Sequence, residues 1–159
     1  MGSPNLCSKC DVRDRALCCA LPAIEVDRLH RIANRRRIPR GTVLLSSDIE
    51  LDWFAVIVSG VVKHVHTKSD GRQHIVGLQF PTDFVGRPFS QNSLLRIEAA
   101  TDVDLCCFSR KPFEKLLRDQ PQLEHRLLQR TFDELEAARQ WIFVLGKLSA
   151  CAKVASFIR

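Results

Sequence analysis

The sequence has no uninterrupted apolar run of about eighteen residues, the length a helix needs to cross a bilayer, so no transmembrane span is expected. The first residues, Met1-Gly-Ser-Pro-Asn-Leu, lack the apolar stretch of a secretory signal, and a cytoplasmic chain is the expectation that follows. Signatures of catalysis are missing as well: no Ser/His/Asp arrangement, no P-loop and no paired catalytic carboxylates stand out, so an enzyme is not expected. What is present is 159 residues, 45% of them apolar, enough for one good core with an appendage.

Against these absences stands an excess of cysteine. There are seven, an odd number. Without a secretory route a disulfide framework is the weaker reading, and metal or redox chemistry the stronger one. The net charge is +6, and much of it sits early, in Arg28, Arg31, Arg35, Arg36, Arg37 and Arg40. That run reads either as an attraction to nucleic acid or as a solvated basic junction between a helix and a strand. The second is favoured, because no aromatic or glycine residues interleave it. The overall basicity still suits a partner that carries phosphates.

The texture changes twice along the chain. Residues 5–20 form a Cys-rich loop without periodicity, and residues 22–34 read as a short amphipathic helix with Ile24, Val26, Leu29 and Ile32 on its apolar side. From 37 to 108 come short runs rich in Val, Ile, Leu and Thr, separated by turn signals. Trp53-Phe-Ala-Val-Ile-Val58 breaks at Ser59-Gly60 and resumes as Val61-Val-Lys-His-Val65. Ser69-Asp70-Gly71 marks a hairpin, and Asp83-Phe-Val-Gly86 another turn. Strands this frequent imply a mainly β fold, a jelly-roll barrel or sandwich. After Phe108, Pro112 opens a short helix, and Pro121 takes the first position of a long one. There Leu128, Thr131, Leu135, Ala138, Ile142 and Leu145 alternate at spacings of three and four, a heptad seam suited to a partner helix. Thr131 and Ala138 thin that seam, so a dimer built on it is expected to be weak and easily tuned. Gly146 weakens the helix near its end. Ser149 then caps a fresh pattern with Ala152, Val154, Ala155, Phe157 and Ile158, which reads as the start of another domain.

The cysteines are grouped. Cys7-Ser-Lys-Cys10 is followed by seven residues and then Cys18-Cys19; a second adjacent pair, Cys106-Cys107, comes far downstream. A two-residue gap lets two thiolates meet one metal or one cluster face. Neighbouring residues on a strand point to opposite faces, so one of Cys106 and Cys107 reaches the loop and the other does not. Spacing alone leaves three readings open: a redox cluster, zinc, and a thiol switch or plain packing. Zinc ribbons usually offer a second two-residue knuckle or a His pair, which places the cluster first. Cys151 is most simply a small apolar residue. His64, His66 and His74 lie on adjacent strands and read as a solvated face before a metal site; Trp53 and Trp141 read as packing residues.

The order of Cys-rich arm, barrel, long seam helix and fresh helix resembles the CRP/FNR family of bacterial transcription regulators, and within it the FNR/FnrN oxygen-sensing branch. The segments that carry the resemblance are Cys7-x2-Cys10-x7-Cys18, Ser59-Gly-Val-Val-Lys63, Asp70-Gly-Arg-Gln-His-Ile-Val-Gly-Leu-Gln-Phe80, Asp83-Phe-Val-Gly-Arg-Pro-Phe89, Glu98-Ala-Ala-Thr-Asp-Val-Asp-Leu-Cys106 and Leu123-Glu-His-Arg-Leu127. The spacing between Cys10 and Cys18 resembles the FnrN-like subgroup.

The resemblance implies a cupin-like double-stranded β-helix as the sensory barrel and a 4Fe-4S iron–sulfur cluster held by Cys7, Cys10, Cys18 and Cys106. Cys106 takes the ligand position after Val-Asp-Leu; Cys19 and Cys107 are extra. It further implies an oxygen-responsive regulator that forms a homodimer, binds DNA through a helix-turn-helix outside these residues, and works with RNA polymerase. The implied organisation is an arm over residues 1–21, a barrel over 22–110, a short helix and the dimerisation helix over 111–147, and the start of a DNA-binding domain over 148–159. The family's cyclic-nucleotide receptors use a Gly-Glu start and an Arg-Ser or Arg-Ala pair. Here Gly86 is followed by Arg87, and Ser93-Leu-Leu offers no phosphate fork, so no cyclic nucleotide is expected. The competing reading is a barrel domain that binds zinc or a small molecule, or a thiol switch, without an iron–sulfur cluster.

Overall fold

The computed structural model describes residues 7, 10–46, 52–90 and 95–147, apart from the side chains of residues 145 and 147. Eight strands occur in chain order: β1 (Ala33–Ile38), β2 (Val43–Leu45), β3 (Trp53–Ser59), β4 (Val62–Thr67), β5 (Gln73–Gln79), β6 (Phe84–Val85), β7 (Arg96–Ala99) and β8 (Val103–Ser109). They form two antiparallel sheets, one ordered β1-β8-β3-β6 and the other β2-β7-β4-β5. The chain crosses between them repeatedly, which is the connectivity of a jelly roll.

Strand alternation explains the core. Val103, Leu105 and Cys107 of β8 point between the sheets and join Ala55, Ile57, Val62, Val85, Ile97 and Ala99 there. The other face of the β8–β3 pair carries Phe54 and Phe108, which stack with Phe84 around Phe113 of helix α2 (Arg110–Asp119); the ring centroids of these contacts lie 5.1 to 5.8 Å apart. Because both faces of β3 are covered, Phe54, Ala55, Val56 and Ile57 are all buried, and the strand reads as an unbroken apolar run.

The turn chemistry holds at the hairpin between β4 and β5. Gly71 has φ +82°, and Asp70 Oδ1 accepts the Arg72 backbone N–H at 3.0 Å. At Gly60, with φ +87°, a side chain would run into the Asp102 carbonyl oxygen.

Four local expectations change. Helix α1 spans Ala23–Ile32 and buries Val26 and Leu29, but Ile24 is 75% exposed. Ala33 and Asn34 are not helical: they pair with Phe108 and Cys107, because β8 offers a free edge whose hydrogen bonds outweigh one more helical turn. Arg28 and Arg31 therefore lie in helix α1, Arg35, Arg36 and Arg37 in an edge strand, and Arg40 in the turn that follows it, so the basic run sits at a helix-to-strand junction. Asp83-Phe-Val-Gly86 holds strand β6, since Val85 and Phe84 find partners in Ala55 and Val56. Helix α2 starts at Arg110, ahead of Pro112, whose missing N–H falls among the donors that a first turn leaves unbonded.

Helix α3 (Pro121–Lys147) begins at Pro121 as expected and continues through Gly146. The chain divides into two compact units between Glu124 and His125. In the first, Leu123 is fully buried. In the second, none of the described residues is buried, and Leu128, Phe132, Leu135, Trp141, Ile142 and Phe143 are exposed. The Thr131 hydroxyl donates to the Leu127 carbonyl at 3.0 Å, a local bond within the helix. The Leu145 side chain and the pattern over 148–159, with Ser149 and Cys151, lie outside the described residues. Among the described residues no helix is long and apolar enough to cross a membrane.

Candidate functional site

The cysteine arm is folded rather than a plain loop. The Arg13 N–H donates to the Cys10 carbonyl at 3.1 Å and the Ala16 N–H to the Val12 carbonyl at 2.8 Å, and a single 3-10 turn follows over Leu17–Ala20. Val12, Ala16, Leu17 and Leu21 are buried, and this apolar stripe anchors the arm.

Anchoring brings distant cysteines together. Cys7, Cys10 and Cys18 of the arm and Cys106 of β8 line one small cavity, about 20 Å³, with Val56, Phe108 and Leu29 forming much of its apolar wall. Each adjacent cysteine pair is split. Cys106 stands beside Val56 and Arg35 across the sheet, while Cys107 is 4% exposed in the core between the sheets. Cys18 lines the cavity, while Cys19 is exposed.

Burial pushes the Cys106 thiol up to about 12; the nearby Cys7, Cys10 and Cys18 add to this, and the Arg35 guanidinium opposes it. Burial and then Cys10 push Cys18 up to about 11. Cys7 is raised by burial and by Cys10, against the pull of Arg13. Burial and mutual repulsion thus favour the thiol form of Cys7, Cys18 and Cys106, and a nearby cationic group would oppose both effects.

The donor chemistry is four soft sulfurs, and no carboxylate or imidazole lines the cavity, which suits zinc or an iron–sulfur cluster. Among the described residues no three or more His, Cys, Asp or Glu side chains are gathered as the ligands of a metal ion. The cavity volume is near that of one water.

The remaining sequence candidates fall elsewhere. His66 sits opposite His74 on the exposed β4–β5 hairpin, and a register shift separates His64 from Val65. Trp53 is half-buried under the Arg36 guanidinium, 5.8 Å from its ring centroid. Trp141 is 46% exposed. In the stretch after Gly86, Glu114 accepts the Phe89 backbone N–H at 2.9 Å and Arg110 donates to the Ser90 carbonyl, tying it to α2; residues 91–94 lie outside the described set. Lys63 and Glu98, both in the segments that carry the resemblance, form an ion pair at 2.9 Å, with Arg96 on the second carboxylate oxygen at 3.3 Å. Sequence reasoning passed over Arg13 and Arg35 as cavity residues. Arg13 sits three residues from Cys10, a local signal; Arg35 becomes visible only through the β1–β8 register.

Residues 35–120 match the family model of the cyclic nucleotide-binding domain. The chain is 40% identical over 152 residues to the transcriptional activator protein FnrL of Cereibacter sphaeroides, an alignment that covers 96% of this chain and 61% of that protein. It is 32% identical over 160 residues to the nitrogen fixation regulation protein FixK of Bradyrhizobium diazoefficiens, covering 99% of this chain and 68% of that one. Among solved structures it is similar to FixK2 from Bradyrhizobium japonicum, with a TM-score of 0.72 at 25% identity over 80% of this chain and 64% of that one. The chain therefore spans about two thirds of the length of these relatives.

Proposed function

We propose that this chain, which belongs to the CRP/FNR family of transcription regulators, is the sensory part of an oxygen-responsive regulator whose 4Fe-4S cluster is held by Cys7, Cys10, Cys18 and Cys106. The observation that carries this reading is the shared cavity, where three thiols of a folded arm meet one thiol of a sheet strand. When bound, the cluster supplies an oxygen-labile crosslink between arm and barrel. The residues divide the work. Cys106 is fixed by pairing on both sides, to Arg35 and to Val56. Cys7, Cys10 and Cys18 move with an arm whose grip is the stripe of Val12, Ala16, Leu17 and Leu21.

The signal is read out through α3. Its exposed Leu128, Leu135 and Ile142, with Thr131 and Ala138 between them, pack against a second copy of the chain, and Leu145 continues the heptad. The homodimer then sets two DNA-reading modules at half-site spacing. RNA polymerase is the further partner, and the cytoplasm the site of action.

The test is iron and acid-labile sulfide analysis of protein purified under nitrogen. About four of each per chain, with colour that bleaches in air, is the expected result. Stoichiometric zinc without sulfide, or a colourless metal-free chain that stays so after anaerobic reconstitution, would overturn the reading.

A further inference from the structure

Two guanidinium groups share the cavity with the four thiols. Arg35 faces Cys106 directly across the β1–β8 pair, and Arg13 lies in the arm turn that starts at Cys10. Nearby arginines are engaged elsewhere: Arg36 covers Trp53, and Arg28 pairs with Glu25 and Asp119. Among the described residues Arg13 and Arg35 form no ion pair. Four thiolates would carry more negative charge than the positive charge of an iron–sulfur core offsets, so the loaded site would be a partly buried anion. Such an anion is costly unless cations stand close to it. Asp27 acts on Cys7 in the opposite sense, which increases the need.

We infer that Arg35 and Arg13 are charge-compensating residues of the cluster site, and that Arg35, fixed on the sheet, raises the electron affinity of the bound cluster. This rests on the function proposed above. The physical step is the uptake of one electron by the cluster from an added reductant; the guanidinium favours the more negative product. Arg35 is exposed on its outer side, so water screens part of the effect and a moderate one is expected.

The test is anaerobic redox titration and iron analysis of the full chain, comparing wild type with Arg35→Gln, Arg35→Lys, Arg13→Gln and, as a control on the same strand, Arg37→Gln. Arg35→Gln is expected to lower electron affinity about tenfold, a shift of about 59 mV to more negative midpoint potential. Arg35→Lys should keep most of the wild-type value, Arg37→Gln nearly all of it, and Arg13→Gln should shift in the same direction as Arg35→Gln. Full loading of Arg35→Gln with an unmoved midpoint, or an equal shift in Arg37→Gln, overturns the inference while leaving the cluster reading intact. If Arg35→Gln takes up no iron, recovery of loading by Arg35→Lys supports the charge role and an empty Arg35→Lys overturns it. A wild-type chain without iron and sulfide overturns both.

Discussion

Up to Glu124 the chain hides most of its large apolar side chains within itself, whereas among the described residues from His125 onward most are left in water. Phe54, Ile57, Phe113 and Leu117 are essentially inaccessible, while Leu128 is 50%, Phe132 60% and Ile142 70% exposed. Composition does not separate the two regions; geometry does. A sheet has two broad faces, and here the second sheet covers one face of the β1-β8-β3-β6 sheet while α2 covers part of the other. A single helix has one apolar stripe, and in the described part of α3 that stripe is exposed. The stability of the first region is therefore intramolecular, and in the proposed dimer any stability gained along α3 would depend on protein concentration.

The sharpest break in that comparison is expected at the cavity. Cys106→Ser should abolish iron binding, because a neutral hydroxyl is a poor substitute for a thiolate donor. Cys107→Ser should retain the iron and lose only some stability, since its side chain lies in the core. Iron retained by Cys106→Ser and lost by Cys107→Ser would reverse the assignment of the two strand faces.

Next in size is the contrast in packing. Phe113→Ala should cost about 3–5 kcal/mol in urea unfolding, because the ring sits among three others. Phe132→Ala should fall within about 0.5 kcal/mol at low protein concentration. Equal losses would mean that α3 is buried in the monomer after all.

A third experiment tests the link between the regions. The cluster-loaded chain is expected to dimerise about a hundredfold more tightly than the cluster-free chain, equivalent to roughly 3 kcal/mol, as measured by sedimentation under nitrogen and then in air. Ile142→Glu should remain monomeric with its iron still bound. Equal dimer affinity in both states would separate the cavity from the helix.

Smaller effects refine the picture of the first region. Glu98→Gln removes a carboxylate that Lys63 and Arg96 hold below its usual range, and is expected to cost about 1–3 kcal/mol in urea unfolding. The cluster-free chain should also weaken in alkali. Unfolded cysteines ionise near 9.0, whereas folded Cys18 and Cys106 resist until about 11 and about 12. Their contribution to stability is complete below pH 9 and is lost as pH rises through that window. Thermal melts between pH 8 and 11 would show it, and Cys106→Ser should flatten the slope.

Much of the barrel was legible in the chain. Period-two runs, the Ser69-Asp70-Gly71 turn and the position of Pro121 all act over a few residues, and local chemistry settles them. The junction at Ala33 and the Phe84–Val85 strand were not legible. Both segments are extended only because a particular edge, β8 in one case and β3 in the other, stood ready to pair with them.

The site divides along the same line. The sequence by itself determined how many thiols there are, that three lie close together, and that Cys106 and Cys107 must face opposite ways if they share a strand. Tertiary structure alone decided that Cys18 turns inward and Cys19 outward, that the Cys106 face is the one the arm covers, and that Arg35 stands opposite Cys106. Those outcomes depend on register and on which surface covers which, and both are set by contacts between residues far apart in the chain, where no local pattern reaches.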